Sequence, residues 1–100
     1  MIELSRITGF DWDIGNARKS EAKHGVSQLE TEQVFMGERV LITEDIAHIG
    51  AESRFQALGE TADGRRLHVS FTLRRDGTLI RVISARDMNR KERARYEAQA

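Results

Sequence analysis

The stretch LIRVISARDMNRKERARY, residues 79–96, decides the fold because a strand pattern passes directly into a basic helix. β-Branched residues flank Arg81, which is typical of a half-buried strand. Asp87 is a suitable N-cap for the helix that follows. We expect Arg81 in the strand, Arg86 at the junction and Arg90 in the helix to converge on one anion.

The charge is distributed unevenly along the 100 residues, although the net charge is zero. Residues 65–95 contain ten Lys/Arg and three Asp/Glu, a net charge of +7, whereas residues 1–64 contain six and twelve, a net charge of −6. This asymmetry predicts an anionic partner for the C-terminal half. The alternative is that the two halves neutralise each other in the folded protein.

The composition excludes several classes of protein. The chain has no Cys, and therefore no disulfides or thiolate metal sites. No apolar run reaches membrane-spanning length, and the N-terminus does not resemble a signal peptide. We expect a single domain over residues 1–100 that works in the cytoplasm without contacting a membrane.

The segment before residue 79 extends the strand into a meander. Strands are predicted over 53–61, 65–74 and 78–85, because Asp63-Gly64 and Asp76-Gly77 lie at the two connections. An Asp-Gly pair between alternating apolar residues is a strong hairpin signal. A further strand is predicted at 39–43, followed by a loop over 44–51, and a short extended segment at 8–12.

Two short helices are predicted in the N-terminal part. Asp13 caps a helix over 14–24, which Gly25 ends. Ser27 and Glu30 form the capping box of a second helix over 28–36. The fold class is therefore α+β, with an antiparallel sheet, an N-terminal helical pair packed on one face and a C-terminal helix.

Alternation along the strands separates an apolar face of the sheet from a polar one. Leu67, Val69, Phe71 and Leu73 share the apolar face. Arg81 faces the other way because its neighbours Ile80 and Val82 face the core. The side chains predicted on the polar face are Arg54, Gln56, Glu60, Arg66, His68, Ser70, Thr72, Arg74 and Arg81.

An arginine-rich face with hydroxyl neighbours matches the needs of metal-free RNA cleavage. The ribose 2′-hydroxyl attacks the adjacent phosphate, so the enzyme must accept its proton and stabilise the charge that develops on phosphorus. Arginine forks suit the second task. Glu60, His24 and His68 are the candidate bases.

Several segments together resemble the BrnT family, small toxins of type II toxin–antitoxin systems. They are FDWD at 10–13, KHGVS at 23–27, IRVISAR at 80–86 and RKERARYE at 90–97. The resemblance implies a RelE-like fold and a ribonuclease that arrests translation without a metal or other cofactor. It also implies a BrnA-like antitoxin, whose DNA-binding region brings the complex to its operator.

The resemblance also guides the choice of functional residues. The expected catalytic set is Lys23, His24, Arg65, Arg81 and Arg86, and the expected RNA contacts are Trp12, Arg74 and Arg90. No residue is expected to bind a metal.

Two other functions remain open from the sequence. The arginine face would also suit a non-catalytic module that binds nucleic acid or an acidic protein, and the basic helix would suit a structural subunit that docks a partner. An antitoxin is expected on the arginine face or on the side of the last helix that carries Met88, Glu92 and Tyr96. The alternative is that this side packs on the protein's own sheet.

Overall fold

The structure is a computed structural model that describes residues 4–45 and 53–99. The predicted loop at 44–51 is corrected at its start, because the strand there continues to Asp45, and the rest of that loop lies outside the described residues. After a 3₁₀ turn at Leu4–Arg6, the elements are β1 (Gly9–Phe10), α1 (Ile14–His24), α2 (Gln28–Met36), β2 (Leu41–Asp45), β3 (Arg54–Glu60), β4 (Arg66–Arg74), β5 (Leu79–Asp87) and α3 (Arg90–Ala98).

The sheet has five strands in the order β1-β5-β4-β3-β2. Strands β2 to β5 form the predicted antiparallel meander, and glycines with positive φ stand at both later turns, Gly64 at 83° and Gly77 at 84°. The prediction of a wholly antiparallel sheet was wrong at β1, which pairs with β5 in parallel. The α+β class is confirmed, with a mixed sheet, because β1 joins the open edge of β5.

Helix α1 lies along the edge of β5. Asn16 Nδ2 donates to Val82 O at 3.2 Å, and Ala85 N donates to Ser20 Oγ at 2.8 Å. The side chains of α1 therefore satisfy backbone groups that an open strand edge would expose. The two N-terminal helices thus differ in position, because α1 protects the edge whereas α2 packs on one face.

The face under α2, here called the inner face, carries the main core. Val34 of α2 is fully buried among Val69, Phe71 and Ile80 of the sheet. Phe35 packs edge-on against Phe71, with ring centroids 5.1 Å apart. The predicted apolar face of β4 is confirmed, because Leu67, Val69 and Phe71 are buried in this core and Leu73 packs against it.

The start of α3 differs from the prediction. Asp87 was expected to cap this helix, but Met88 N donates to Arg66 O at 3.0 Å, so the strand pairing continues past that residue. The N-cap is Asn89, whose side chain accepts from Glu92 N at 2.8 Å, while the Glu92 carboxylate accepts from Asn89 N at 2.9 Å. This reciprocal pair is a capping box.

Helix α3 covers one end of the opposite face of the sheet, here called the outer face. Met88 and Tyr96 are buried against Leu58, and the Tyr96 hydroxyl donates to Arg39 O at 2.7 Å. The apolar side of this helix therefore packs on the protein's own sheet and is not available to a partner. Within the described ranges, no helix is long and apolar enough to cross a membrane.

Candidate active site

Strand register sets the composition of the outer face. Ser70 lies opposite Ser84, and Thr72 lies opposite Arg81. A shift in register between Ser70 and Phe71 places one extra residue in β5, which returns Ser84 and Arg86 to the side occupied by Arg81. The arginines that the register assigns to this face are Arg54, Arg66, Arg74, Arg81 and Arg86.

Two residues predicted on a solvated polar face are in fact buried. His68 is 6% exposed and Thr72 is 4% exposed. His68 lies between Leu58 on β3 and Arg86 on β5, beneath α3. Helix α3 therefore covers the end of the outer face near Arg86, and at the other end Thr72 is buried beside Arg81.

Arg81 contacts two carboxylates from the segment between β1 and α1. Its Nη2 donates to Asp13 Oδ2 at 2.7 Å, and its Nη1 lies 3.5 Å from Asp11 Oδ2. The hydrogen bond that Arg81 donates to Asp13 raises the pKa of Arg81. The pKa of Asp13 is lowered, first by the backbone N–H of Asn16 and then by Arg81. The negative charge expected of a bound phosphate is thus supplied by the chain itself.

Arg86 makes a bidentate pair with Glu92 of α3. Its Nη1 and Nη2 donate to the two carboxylate oxygens at 2.7 and 2.9 Å, and Nη1 also donates to Asp87 O at 3.1 Å. Burial by itself would raise the pKa of Glu92, but the hydrogen bonds from Arg86 and from Asn89 N lower it to about 2. Glu92 therefore stays charged and holds the first turn of α3 against the sheet.

His68 adjoins this pair. Its Nε2 lies 3.7 Å from Glu92 Oε2, and its Nδ1 has no hydrogen-bond partner among the described residues. Burial lowers the pKa of His68, an effect that the nearby Glu92 charge opposes and the Arg86 charge reinforces. We therefore describe His68 as a neutral, buried imidazole.

Arg65 uses all its N–H groups inside the protein. Nε and Nη2 donate to the two Asp87 oxygens at 2.8 and 3.1 Å, and Nη1 donates to Glu30 Oε2 at 3.2 Å. Nη1 and Nη2 also donate to Gly25 O at 2.8 Å and His24 O at 3.3 Å. The hydrogen bond with Asp87 raises the pKa of Arg65. Since a guanidinium has five N–H donors, this set uses the whole group.

These three arginines share one structural role. Arg81 binds the N-cap of α1, Arg65 binds the third helical residue of α2 and Arg86 binds the third helical residue of α3. Each of these three arginines thus contacts the start of one helix. Sequence reasoning missed this role, although the Ser27–Glu30 capping box indicated one of the three carboxylates.

The predicted catalytic residues fall into two groups. Arg65 donates to the carbonyl of His24, and this contact brings His24 and its neighbour Lys23 to the same end of α1. Both side chains are exposed there. Arg81 and Arg86 share the outer face, but their partners on β4, Thr72 and His68, are four positions apart, which corresponds to about 13 Å along a strand. The structure does not bring all five residues together.

The predicted RNA contacts are also spread out. Trp12 Nε1 donates to Glu32 Oε2 at 2.7 Å, and its ring stacks on that of Phe10. Arg74 lies near the β4–β5 turn, with Nη1 3.5 Å from Thr72 Oγ1. Arg90 is exposed as the first residue of α3.

Within residues 4–45 and 53–99, no group of three or more His, Asp or Glu is arranged to hold a metal ion.

Fold and site together define a small α+β protein whose sheet presents an arginine-rich face with hydroxyl groups. Residues 12–92 match the model of a family described as the ribonuclease toxin BrnT of type II toxin–antitoxin systems. The match covers most of the chain, and the protein belongs to the BrnT family.

A solved structure supports the fold assignment. The chain is similar to the Brucella abortus ribonuclease toxin BrnT, known from a crystal structure at 1.1 Å resolution, with a TM-score of 0.61 and 21% sequence identity. The alignment covers 83% of this chain and 99% of that one. At this identity the likeness concerns the fold alone. No curated protein sequence matches the chain.

Proposed function

We propose that this protein is a single-domain cytoplasmic toxin of RelE-like fold that cleaves RNA without a divalent metal ion and thereby inhibits translation. Membership of a family of ribonuclease toxins supports the activity. The observation that carries the site is the outer face, where Arg81 lies opposite Thr72 beside the serine pair of the next row. Such a surface suits a phosphate backbone.

We place Arg81 rather than Arg86 at the scissile phosphate. The side chain of Asp13, which binds Arg81, is 54% exposed, whereas that of Glu92, which binds Arg86, is 17% exposed. A substrate phosphate can therefore replace Asp13 from solvent, while Glu92 is held between α3 and the sheet. The freed guanidinium would stabilise the charge that develops on phosphorus.

The length of α1 separates His24, one of the three candidate bases, from Arg81. Arg81 binds the start of this 11-residue helix, and His24 is its last residue. The helix separates them by about 16 Å, so they cannot act on one phosphate. Of the other candidates, His68 is buried and Glu60 is paired with Arg66. We assign Lys23 and His24 to RNA binding at a neighbouring nucleotide.

We propose a BrnA-like antitoxin as the protein partner. Its DNA-binding region would bring the complex to operator DNA, so this chain would contact DNA only through the antitoxin. RNA is the proposed substrate.

The test is cleavage of RNA by the purified protein with excess EDTA. Fragments that appear at the same rate with and without the chelator would support the proposal. If cleavage stops and Mg²⁺ restores it, the metal-free mechanism is wrong. Binding of RNA with no cleavage under any condition would favour the alternative, a non-catalytic module with an arginine-rich docking face.

A further inference from the structure

An apolar groove lies at the edge of the sheet, away from the arginine-rich outer face. It has a volume of about 290 Å³ and is bounded by the N-terminal segment, β1, the second half of α2 and the start of β5. Phe10, Phe35 and Ile80 form its floor, and Leu4 and Met36 form its rim. Met36 is 73% exposed, which is unusual for a large apolar side chain beside a groove.

The groove has an acidic border. Its only charged lining residue among those described is Glu32, and α2 carries no Lys, Arg or His, while its other glutamate, Glu30, is paired with Arg65 outside the groove. Arg6 comes from the same N-terminal turn as Leu4, but its Nη2 lies 3.4 Å from Asp76 O in the β4–β5 turn. A basic occupant therefore fits this surface better than an acidic one.

The side of α3 that could have received a partner is already covered. Met88 and Tyr96 are each 3% exposed and pack on Leu58. The remaining large exposed apolar side chains of the described residues are Leu4, Ile14, Leu29 and Met36. Leu4 and Met36 lie together at the groove, whereas Ile14 and Leu29 are not part of it.

We propose that this groove is the docking site for a basic amphipathic segment of the antitoxin, which inserts apolar side chains over Phe10 and Phe35 and places Lys or Arg beside Glu32. The proposal rests on the proposed function for the existence of the antitoxin. A DNA-binding antitoxin is expected to be basic, which complements the charge of α2. Phe10 of the groove is followed along the chain by Asp11 and Asp13, the two residues that hold Arg81 on the outer face.

The test compares Met36→Lys with Leu29→Lys. Leu29 and Met36 lie on the same helix, and their exposed fractions are similar, at 65% and 73% respectively. Only Met36 lines the groove. The probe is the full-length antitoxin encoded beside the toxin gene, titrated onto each folded variant. We expect Met36→Lys to weaken binding at least about tenfold and Leu29→Lys to change it less than about twofold. We also expect the affinity of the parent protein to fall as salt is raised.

The contrary results are distinct. Equal affinities for the two variants, or no binding of this antitoxin to the parent protein, would overturn the proposal. It would also be overturned if sedimentation shows a dimer of the parent protein that Met36→Lys dissociates, because the groove would then hold a second copy. RNA cleavage by the same preparations separates the two questions. If Met36→Lys loses antitoxin binding and the parent protein shows no ribonuclease activity, the proposed function is refuted and the docking site is supported.

Discussion

The two ends of β5 on the outer face carry the same type of residue in different surroundings. Arg81 binds an Asp13 carboxylate that is 54% exposed, whereas Arg86 binds the carboxylate of Glu92 in α3, which is 17% exposed. Both contacts fix the start of a helix. The arginine side chains themselves are similarly exposed, at 26% and 34%, so the two ends differ in the exposure of the paired carboxylate. The proposed phosphate site at Arg81 depends on that difference and not on residue type.

The largest expected effect is the loss of activity in Arg81→Ala. If Arg81 binds the developing charge on phosphorus, its removal should slow cleavage about a hundredfold, equivalent to about 3 kcal/mol in the transition state. The free energy of unfolding should change by only about half a kcal/mol, because the contact is solvated. Cleavage rate and thermal melting should be measured on one preparation.

The matched control for this variant is Arg18→Ala, which removes an exposed arginine from α1. It should retain the parent rate and melting temperature. A fully active Arg81→Ala would remove Arg81 from the mechanism. An unfolded Arg81→Ala would show that the Asp13 contact is mainly structural, and the contrast between the two ends of β5 would then disappear.

The next effect is the loss of stability in Arg86→Met. After this change Glu92 still accepts from Asn89 N but has lost the Arg86 guanidinium. The protein should therefore be destabilised by about 2 kcal/mol. The cleavage rate per folded molecule should stay near that of the parent. Urea titration gives the stability, and the double variant Arg86→Met/Glu92→Gln should recover part of the loss. If Arg86→Met is stable but inactive, catalysis takes place at the Arg86 end of the outer face, which α3 covers.

A smaller effect concerns the pH dependence of the covered end. Burial lowers the pKa of His68 below its ordinary 6.5, so the unfolded chain binds a proton that the folded protein resists. Stability should therefore fall as the pH drops from 6.5 towards the folded pKa, because protonation then favours the unfolded chain. Glu92, Arg86 and Arg95 are the charges that act on this imidazole.

His68→Gln should flatten the stability curve between pH 7 and pH 5, as measured by urea unfolding at each pH. His24→Gln is the control, because His24 is exposed. A parent curve that rises on acidification would mean that Glu92 dominates, with His68 charged in the folded state.

The sequence predicted the elements well because their signals are local. The Asp-Gly turns, the Asp13 cap, the Ser27–Glu30 capping box and the Gly25 end of α1 all depend on a few neighbouring residues, and all are present. The parallel pairing of β1 with β5 was not predictable in this way, because it joins residues about seventy positions apart.

The candidate site was harder to predict for the same reason. The arginine-rich face was foreseen from alternation, but the partners of its arginines come from helix starts that only the fold brings near. The extra residue in β5 also decides that Arg86 shares a face with Arg81, and nothing in IRVISAR indicates where a strand gains a residue. The local sequence pattern thus predicts where the arginines lie, whereas the tertiary structure determines which of them are paired with carboxylates.

The smallest expected effect is at Arg90, which tests whether RNA reaches the covered end at all. Arg90 is exposed in the first turn of α3, where a positive charge opposes the helix dipole. Arg90→Ala should therefore stabilise the protein slightly, by about 0.3 kcal/mol. If Arg90 contacts an RNA phosphate, the same change should raise KM about threefold at low salt and leave kcat unchanged, and the difference should vanish as salt is raised. An unchanged KM would confine the RNA to the Arg81 end, whereas a fall in kcat would bring the chemistry towards α3.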